Sequence, residues 1–192
     1  MRYATMILAL SFAGLAQNVI DRVAVVVGTQ VITETEVLRE VRLTQFLNGQ
    51  PLDLSAEARR EAAERLVDQQ LIRGEMQIGG YRLPTEAETE TLFRQFRQNN
   101  YPNDAAFRAV LEKYGLTEDD LKQHVAWQAA ALHFAEQRFR LAGPPPPAQS
   151  ADRVTDGAAP EPSKAEQEDE MDAWLKQARR GTRIQFKKGA FQ

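Results

Sequence analysis

Two histidines, His124 and His133, are the side chains of this chain best suited to metal binding or proton transfer. Both lie in a segment with helical periodicity, nine positions apart. At roughly 100° per residue, this spacing places them about 180° apart around the helix axis, so they cannot bind one metal ion together. The chain has no cysteine, which excludes thiolate metal sites and disulfide bonds. We therefore expect no metal cofactor.

Serine and glycine residues do not form the patterns that catalysis or nucleotide binding requires. Beyond residue 16 the serines are Ser55 and Ser163, at helix-capping positions, and Ser150, in a proline-rich stretch, so none is a credible nucleophile. Gly79 and Gly80 end a helix instead of following a strand, unlike a phosphate-binding loop. The sequence predicts a protein that is not an enzyme and binds no cofactor.

A run of acidic side chains near the C-terminus has the composition of a cation site. A calcium loop requires a turn-forming glycine and a fixed spacing of oxygen ligands, and this run has neither. Charge runs of this kind usually form a solvated helix start, which is the interpretation we favour. The run consists of Glu166, Glu168, Asp169, Glu170 and Asp172.

Basic side chains near the C-terminus could instead contact anionic lipid. They also suit the C-terminal end of a helix followed by an edge strand, and we favour this structural role. Over the whole chain 27 acidic residues exceed 24 basic ones, which gives no positive field for nucleic acid binding. The basic residues are Arg179, Arg180, Arg183, Lys187 and Lys188.

The first residues have the pattern of a secretory signal peptide. Arg2 provides a positive start, Ala4 to Leu15 an apolar segment, and Gly14 and Ala16 the small side chains expected before a cleavage site. A membrane anchor or a buried first helix is the alternative, but the run is shorter than the ~20 residues that span a bilayer. We expect residues 1–16 to be removed and the mature protein to be exported.

Residues 17–142 are predicted to form a helical core with a small hairpin. The strand from Val19 to Val27 turns at Gly28 into a second strand at Val31 and Ile32. Five helices follow, and their starts are marked by capping residues. These residues are the capping pairs Thr33 with Glu36, Thr85 with Glu88 and Thr117 with Asp120, and the single cap Ser55.

Residues 143–162 contain four consecutive prolines and are predicted to form an extended linker. Residues 163–192 then form a charged helix carrying Trp174 and a short strand with Ile184 and Phe186. A single strand is not stable in water and must join a sheet. The N-terminal hairpin is the available partner, so we expect the C-terminal segment to dock on the core.

The fifth helix, from Thr117 to Leu141, is apolar on two opposite stripes. It is either sandwiched in the core, with one face covered by the C-terminal segment and Trp174, or it uses one stripe to line a groove for an extended client polypeptide. One stripe contains Leu121, Val125, Ala129, Leu132 and Phe139; the other contains Trp127, Ala131, Phe134 and Leu141.

Three segments of the chain resemble the SurA-type periplasmic chaperones. The segment from Ile20 to Val37, with its hairpin and capping pair, is similar to the mature start of that family, and Arg65 to Ile72 is similar to its second helix. Asp172 to Lys176 is similar to the family's closing helix. The resemblance implies a mainly α fold: a SurA-like N-terminal helical core with a small β-hairpin, completed by a C-terminal helix and short strand.

The resemblance also implies a holdase that binds unfolded or nascent outer-membrane and secreted proteins. The parvulin-type prolyl isomerase domains of the family, of about a hundred residues, do not fit in the predicted linker. Two other functions remain open: a non-enzymatic periplasmic adaptor or self-associating structural protein, and a degenerate prolyl isomerase. The expected client contacts are Trp127, Phe134 and Leu141 first, then Phe93, Phe96 and Tyr101.

Overall fold

The computed structural model describes residues 21–140 and 164–191. The predicted signal peptide, the predicted linker and Leu141 lie outside these ranges. The fold is mainly helical with a small antiparallel sheet, as the sequence predicts. Its elements are β1 (Val23–Val27), β2 (Gln30–Thr33), α1 (Glu34–Leu47), α2 (Ala56–Gly79), α3 (Glu86–Asn100), α4 (Asp104–Tyr114), α5 (Glu118–Arg140), α6 (Lys164–Gly181) and β3 (Ile184–Phe186).

The sheet joins the two described parts of the chain. Its strand order is β2-β1-β3, and both pairings are antiparallel. Val25 lies opposite Phe186 and Val27 opposite Ile184. The predicted pairing of the C-terminal strand with the N-terminal hairpin is therefore confirmed. Gly28, at φ 60°, begins the tight turn between β1 and β2, a conformation that glycine adopts without strain.

The helix starts form where the capping residues predict them. The backbone N–H of Thr33 donates to Glu36 Oε2 at 2.7 Å, and the N–H of Glu36 donates to Thr33 Oγ1 at 3.3 Å. Thr85 with Glu88 and Thr117 with Asp120 repeat the arrangement. Each cap stabilises its helix by about 1 kcal/mol, so short local patterns determine these boundaries.

Buried side chains form three clusters beneath the helices. The first packs β1 and β2 against α1 and α2, with Val25, Val41 and Val67 inaccessible to solvent or nearly so. The second joins α1, α3, α4 and the start of α5 around Phe93 and Phe107. The third joins α2, the end of α5 and α6, and its members include Ile72, Met76, Ala130, Phe134 and Phe139.

The exposure of Leu92 contradicts one prediction for α3. The sequence predicts that Leu92 is buried together with Phe93 and Phe96, but its side chain is 37% exposed. Phe93 points into the second cluster, and the neighbouring position on a helix is turned about 100° away from it. Leu92 therefore lies at the edge of the α3 surface, where it contributes to the cavity described below.

Helix α6 docks on α2 and α5 through one aromatic ring and one arginine. The ring of Trp174 lies 5.5 Å from that of Phe134, centroid to centroid. Arg179 donates to Asp68 Oδ1 at 2.6 Å and to Glu64 Oε2 at 2.7 Å, and these two carboxylates raise its pKa. Arg179 therefore links the C-terminal end of α6 to α2, a contact that the sequence did not predict. Among the described helices none has the length and hydropathy needed to cross a membrane.

Replacing Trp174 with alanine should destabilise the protein by about 2 kcal/mol, because a partly buried indole is lost from the face of Phe134. Urea unfolding, followed by circular dichroism, measures the loss. Lys176→Ala, at an exposed position of α6, is the matched control and should unfold like the wild type. Equal unfolding midpoints for Trp174→Ala and the control would contradict the docking of α6.

Candidate functional site

Helix α5 is buried along parts of two opposite stripes, whereas the face around Ala129, Leu132 and His133 is open. Leu121 and Phe139 are buried along one stripe and Phe134 is fully buried on the opposite stripe, where α6 covers it. The C-terminal segment covers this second stripe through Trp174, which is one of the alternatives that the sequence leaves open for α5. Leu132, by contrast, is 59% exposed. The open face of α5 is thus the part of the helix that remains available for binding.

The six predicted client contacts do not form one surface. Phe134 and Phe93 are core residues, 0% and 2% exposed, and offer no surface in this conformation. Phe96 and Tyr101 are half-buried at the margin of the second cluster. Trp127 is half-buried beside α2 and lines a cavity. Leu141 lies outside the described residues, so the contact expected there stays a prediction.

Trp127 lies in an open cavity of about 500 Å³ between α2, α5 and the segment that joins α2 to α3. Helix α5 contributes Ala126 and Ala130 beside it, and these small side chains leave room on the helix surface. Carbon atoms dominate the lining, although Arg73 adds a charge. The remaining lining residues are Met76, Gln77, Gly80, Tyr81, Leu83, Pro84 and Gln123.

A second cavity, of about 570 Å³, lies between α3 and the open face of α5. Leu92 and Leu132 form its apolar walls, and Pro84 lines both this cavity and the first. We refer to the two cavities together as the α5 groove. Its exposed apolar side chains are Leu83, at 63% exposure, Leu132 and Leu92. Other residues lining the second cavity are Ala87, Glu88, Thr91, Gln95, Ala129 and His133.

Two consecutive glycines position the segment that forms one wall of the groove. Gly80 ends α2 at φ 65°, a left-handed conformation that other residues adopt with strain. A Cβ atom at Gly79 would collide with the ring of Tyr81. The missing side chain lets Tyr81 fold back and pack edge-on against Phe134, with 5.0 Å between ring centroids. This contact holds the chain close to α5 just before Leu83 and Pro84.

A polar cavity of about 140 Å³ lies beneath the groove, between α1, α2 and α5. Glu40, 7% exposed, accepts hydrogen bonds from Arg65 and Gln69, both at 3.4 Å. Burial lowers the pKa of His124, whose Nε2 atom has no hydrogen-bond partner, and the nearby Glu40 carboxylate opposes this shift. The hydrogen bonds to Glu40 join α1 to α2, and His124 lies beside them on α5.

The two histidines do not meet in the structure. His124 lines the polar cavity, whereas His133 is exposed beside Leu132 at the second cavity. Within residues 21–140 and 164–191, no group of three or more histidine, aspartate or glutamate side chains is arranged to hold a metal ion. The groove therefore offers mainly apolar contact, with Arg73 at the first cavity and Glu88 and His133 at the second.

Residues 1–133 match the family described as the SurA-like N-terminal domain. The match covers well over half of the chain, and the chain belongs to this family. Members are chaperone-type, non-catalytic modules, which gives the chain a chaperone-like role. No curated protein matches the chain.

Sequence reasoning missed Leu83 and Leu92 as groove residues. Leu83 lies in the short connection between α2 and α3 and is followed by proline. No helical or strand periodicity applies there, so the sequence does not show which residues Leu83 faces. One sequence feature could have indicated Leu83. It is an apolar residue that follows a glycine pair in a loop, and loops run over the protein surface. Leu132 lies on the predicted stripe with Leu121 and Phe139. The sequence does not show that Leu132 stays exposed while those two side chains are buried.

Proposed function

We propose that this protein is a periplasmic holdase, which binds unfolded or nascent outer-membrane and secreted proteins in the α5 groove. The observation that carries the proposal is the exposure of Leu83, Leu92 and Leu132 around two neighbouring open cavities that share Pro84. Membership of the SurA-like family supports it. Exposed apolar concavities of this kind are typical of surfaces that bind other polypeptides.

The energetics of the groove suit transient binding. Burying one leucine-sized side chain contributes roughly 1.5–3 kcal/mol, so filling both cavities with client side chains offers several kcal/mol. An unfolded client loses conformational entropy when it is held, which offsets part of this gain. Net affinities between millimolar and micromolar, about −4 to −8 kcal/mol, are the expected result. Binding of this kind is broad in sequence and needs neither nucleotide nor metal.

An adaptor that binds one folded partner or a second copy of itself is the alternative. Ile78, near the end of α2, is 86% exposed, and Val31 on β2 is 51% exposed. These two side chains lie outside the cavities that form the α5 groove and would suit a flat interface. Suppression of aggregation for several unrelated clients would favour the holdase, whereas capture of one folded partner would favour the adaptor. No contact in the described residues favours a degenerate prolyl isomerase.

Export is part of the proposal, and it rests on the pattern of residues 1–16. Protein isolated from the cell envelope should begin at Gln17, because cleavage after Ala16 follows from the small side chains before that position. Intact-mass spectrometry of the fractionated protein measures this. A mass that includes Met1, found in the cytoplasmic fraction, would contradict export.

The holdase should suppress light scattering when a urea-unfolded outer-membrane protein is diluted into buffer. Leu83→Asp and Leu132→Asp should weaken suppression about tenfold or more in effective concentration, since each places a charge in an apolar cavity. Trp127→Ala should weaken it less, because the ring is half-buried. Phe134→Ala is unsuitable as a test, because it removes a ring from the core.

Leu52→Asp is the matched control for these variants. Leu52 is 42% exposed, close to the exposure of Leu92, and lies outside the α5 groove. It should suppress scattering like the wild type. Wild-type protein that fails to suppress scattering at several-fold excess would refute the holdase function. Full suppression by both groove variants would keep the function but place its site elsewhere.

A further inference from the structure

Arg73 is a cation in the wall of the α5 groove, and its charge has no described partner. Its guanidinium carbon lies 4.6 Å from the centre of the Trp127 ring, a stacking contact between a cation and an aromatic face. The side chain lines both the first cavity and the polar cavity beneath it. Among residues 21–140 and 164–191, Arg73 makes no ion pair and its guanidinium donates no hydrogen bond.

Neighbouring arginines on the same helices differ from Arg73 in this respect. Arg65 contacts Glu40 at 3.4 Å, and Arg138 contacts Glu75 at 3.0 Å. Two carboxylates on α1, those of Glu36 and Glu40, attract Arg73 from a distance, and burial opposes them by lowering its pKa. Both are already engaged, Glu40 by Arg65 and Glu36 by Thr33. The donors of Arg73 are therefore available to a ligand.

We propose that Arg73 makes the α5 groove selective for client segments in which an acidic side chain is adjacent to apolar ones. This inference rests on the proposed function and names the class of client segment that the groove prefers. The apolar side chains fill the cavity beside Trp127, and the neighbouring carboxylate binds the guanidinium. The guanidinium lies over the Trp127 ring and has no carboxylate partner among the described residues, so it can form the two parallel hydrogen bonds of an arginine–carboxylate pair.

Charge on the other side of the groove gives the bound segment a direction. Glu88 lines the second cavity, where Arg82 contacts it at 2.8 Å. A client carboxylate at that end would find Arg82 already paired with Glu88, whereas at the first cavity it meets Arg73, which has no ion-pair partner among the described residues. The acidic residue of a bound segment is therefore expected beside α2, and its further apolar residues beside Leu132. The two cavities share Pro84, so one extended segment can reach both at roughly 3.3 Å per residue.

Two fluorescently labelled peptides of one apolar sequence test the inference. They differ at a single position, Asp in one and Asn in the other, and fluorescence anisotropy measures their Kd for the full-length protein. The Asp peptide should bind about fivefold more tightly at low salt, and the difference should shrink at high salt, where charge interactions are screened.

Variants of Arg73 identify the residue responsible. Arg73→Gln should abolish the difference in affinity between the Asp peptide and the Asn peptide. Arg73→Lys keeps the charge without the planar fork and should retain part of the preference. Arg108→Gln, at an exposed position of α4 outside the groove, is the matched control and should keep the wild-type preference.

The outcomes separate this inference from the proposed function. Equal binding of the two peptides by the wild type would overturn the role of Arg73 and leave the groove as a binding site. A preference for Asp that survives in Arg73→Gln would also overturn it. Binding of neither peptide would overturn both proposals. If Arg73→Gln does not fold, the wild-type comparison and Arg73→Lys still decide the question.

Discussion

The contact between Trp174 and Phe134 is the interaction on which the rest of this structure depends. Helix α5 carries more apolar surface than α1 and α3 can cover, and the ring of Phe134 would be exposed without α6. Arg179 adds a pair of hydrogen bonds to α2, and β3 completes the edge of β1. Residues of the C-terminal segment, in α6 and β3, therefore complete the core.

The same contact connects stability with the groove. Phe134 packs against Trp174 on one side and against Tyr81 on another, and Tyr81 precedes the segment that carries Leu83 and Pro84. The Phe134 ring, which α6 covers, thus also supports Tyr81 and the groove wall that follows it. Polar contacts around Glu40 join α1 to α2 next to the groove.

Local sequence patterns predicted much of the fold. Thr33, Thr85 and Thr117 mark helix starts because a capping residue acts within three positions, and the sheet partner of Ile184 and Phe186 followed because a strand needs a neighbour. The site was harder to predict. Periodicity shows that α5 is apolar on two faces, but it cannot tell that Phe134 lies under α6 while Leu132 remains open. That distinction depends on long-range packing.

Site-specific photo-crosslinking tests the central claim that the open face of α5 holds unfolded polypeptide. A photo-reactive amino acid is placed at Leu132, in the groove, or at Leu52, an exposed apolar position outside it. Each protein is irradiated with a urea-diluted outer-membrane protein, and crosslinked products are mapped by mass spectrometry. Strong crosslinking from position 132 with little from position 52 is the predicted result. Equal crosslinking from both positions, or crosslinking from position 52 alone, would contradict the account.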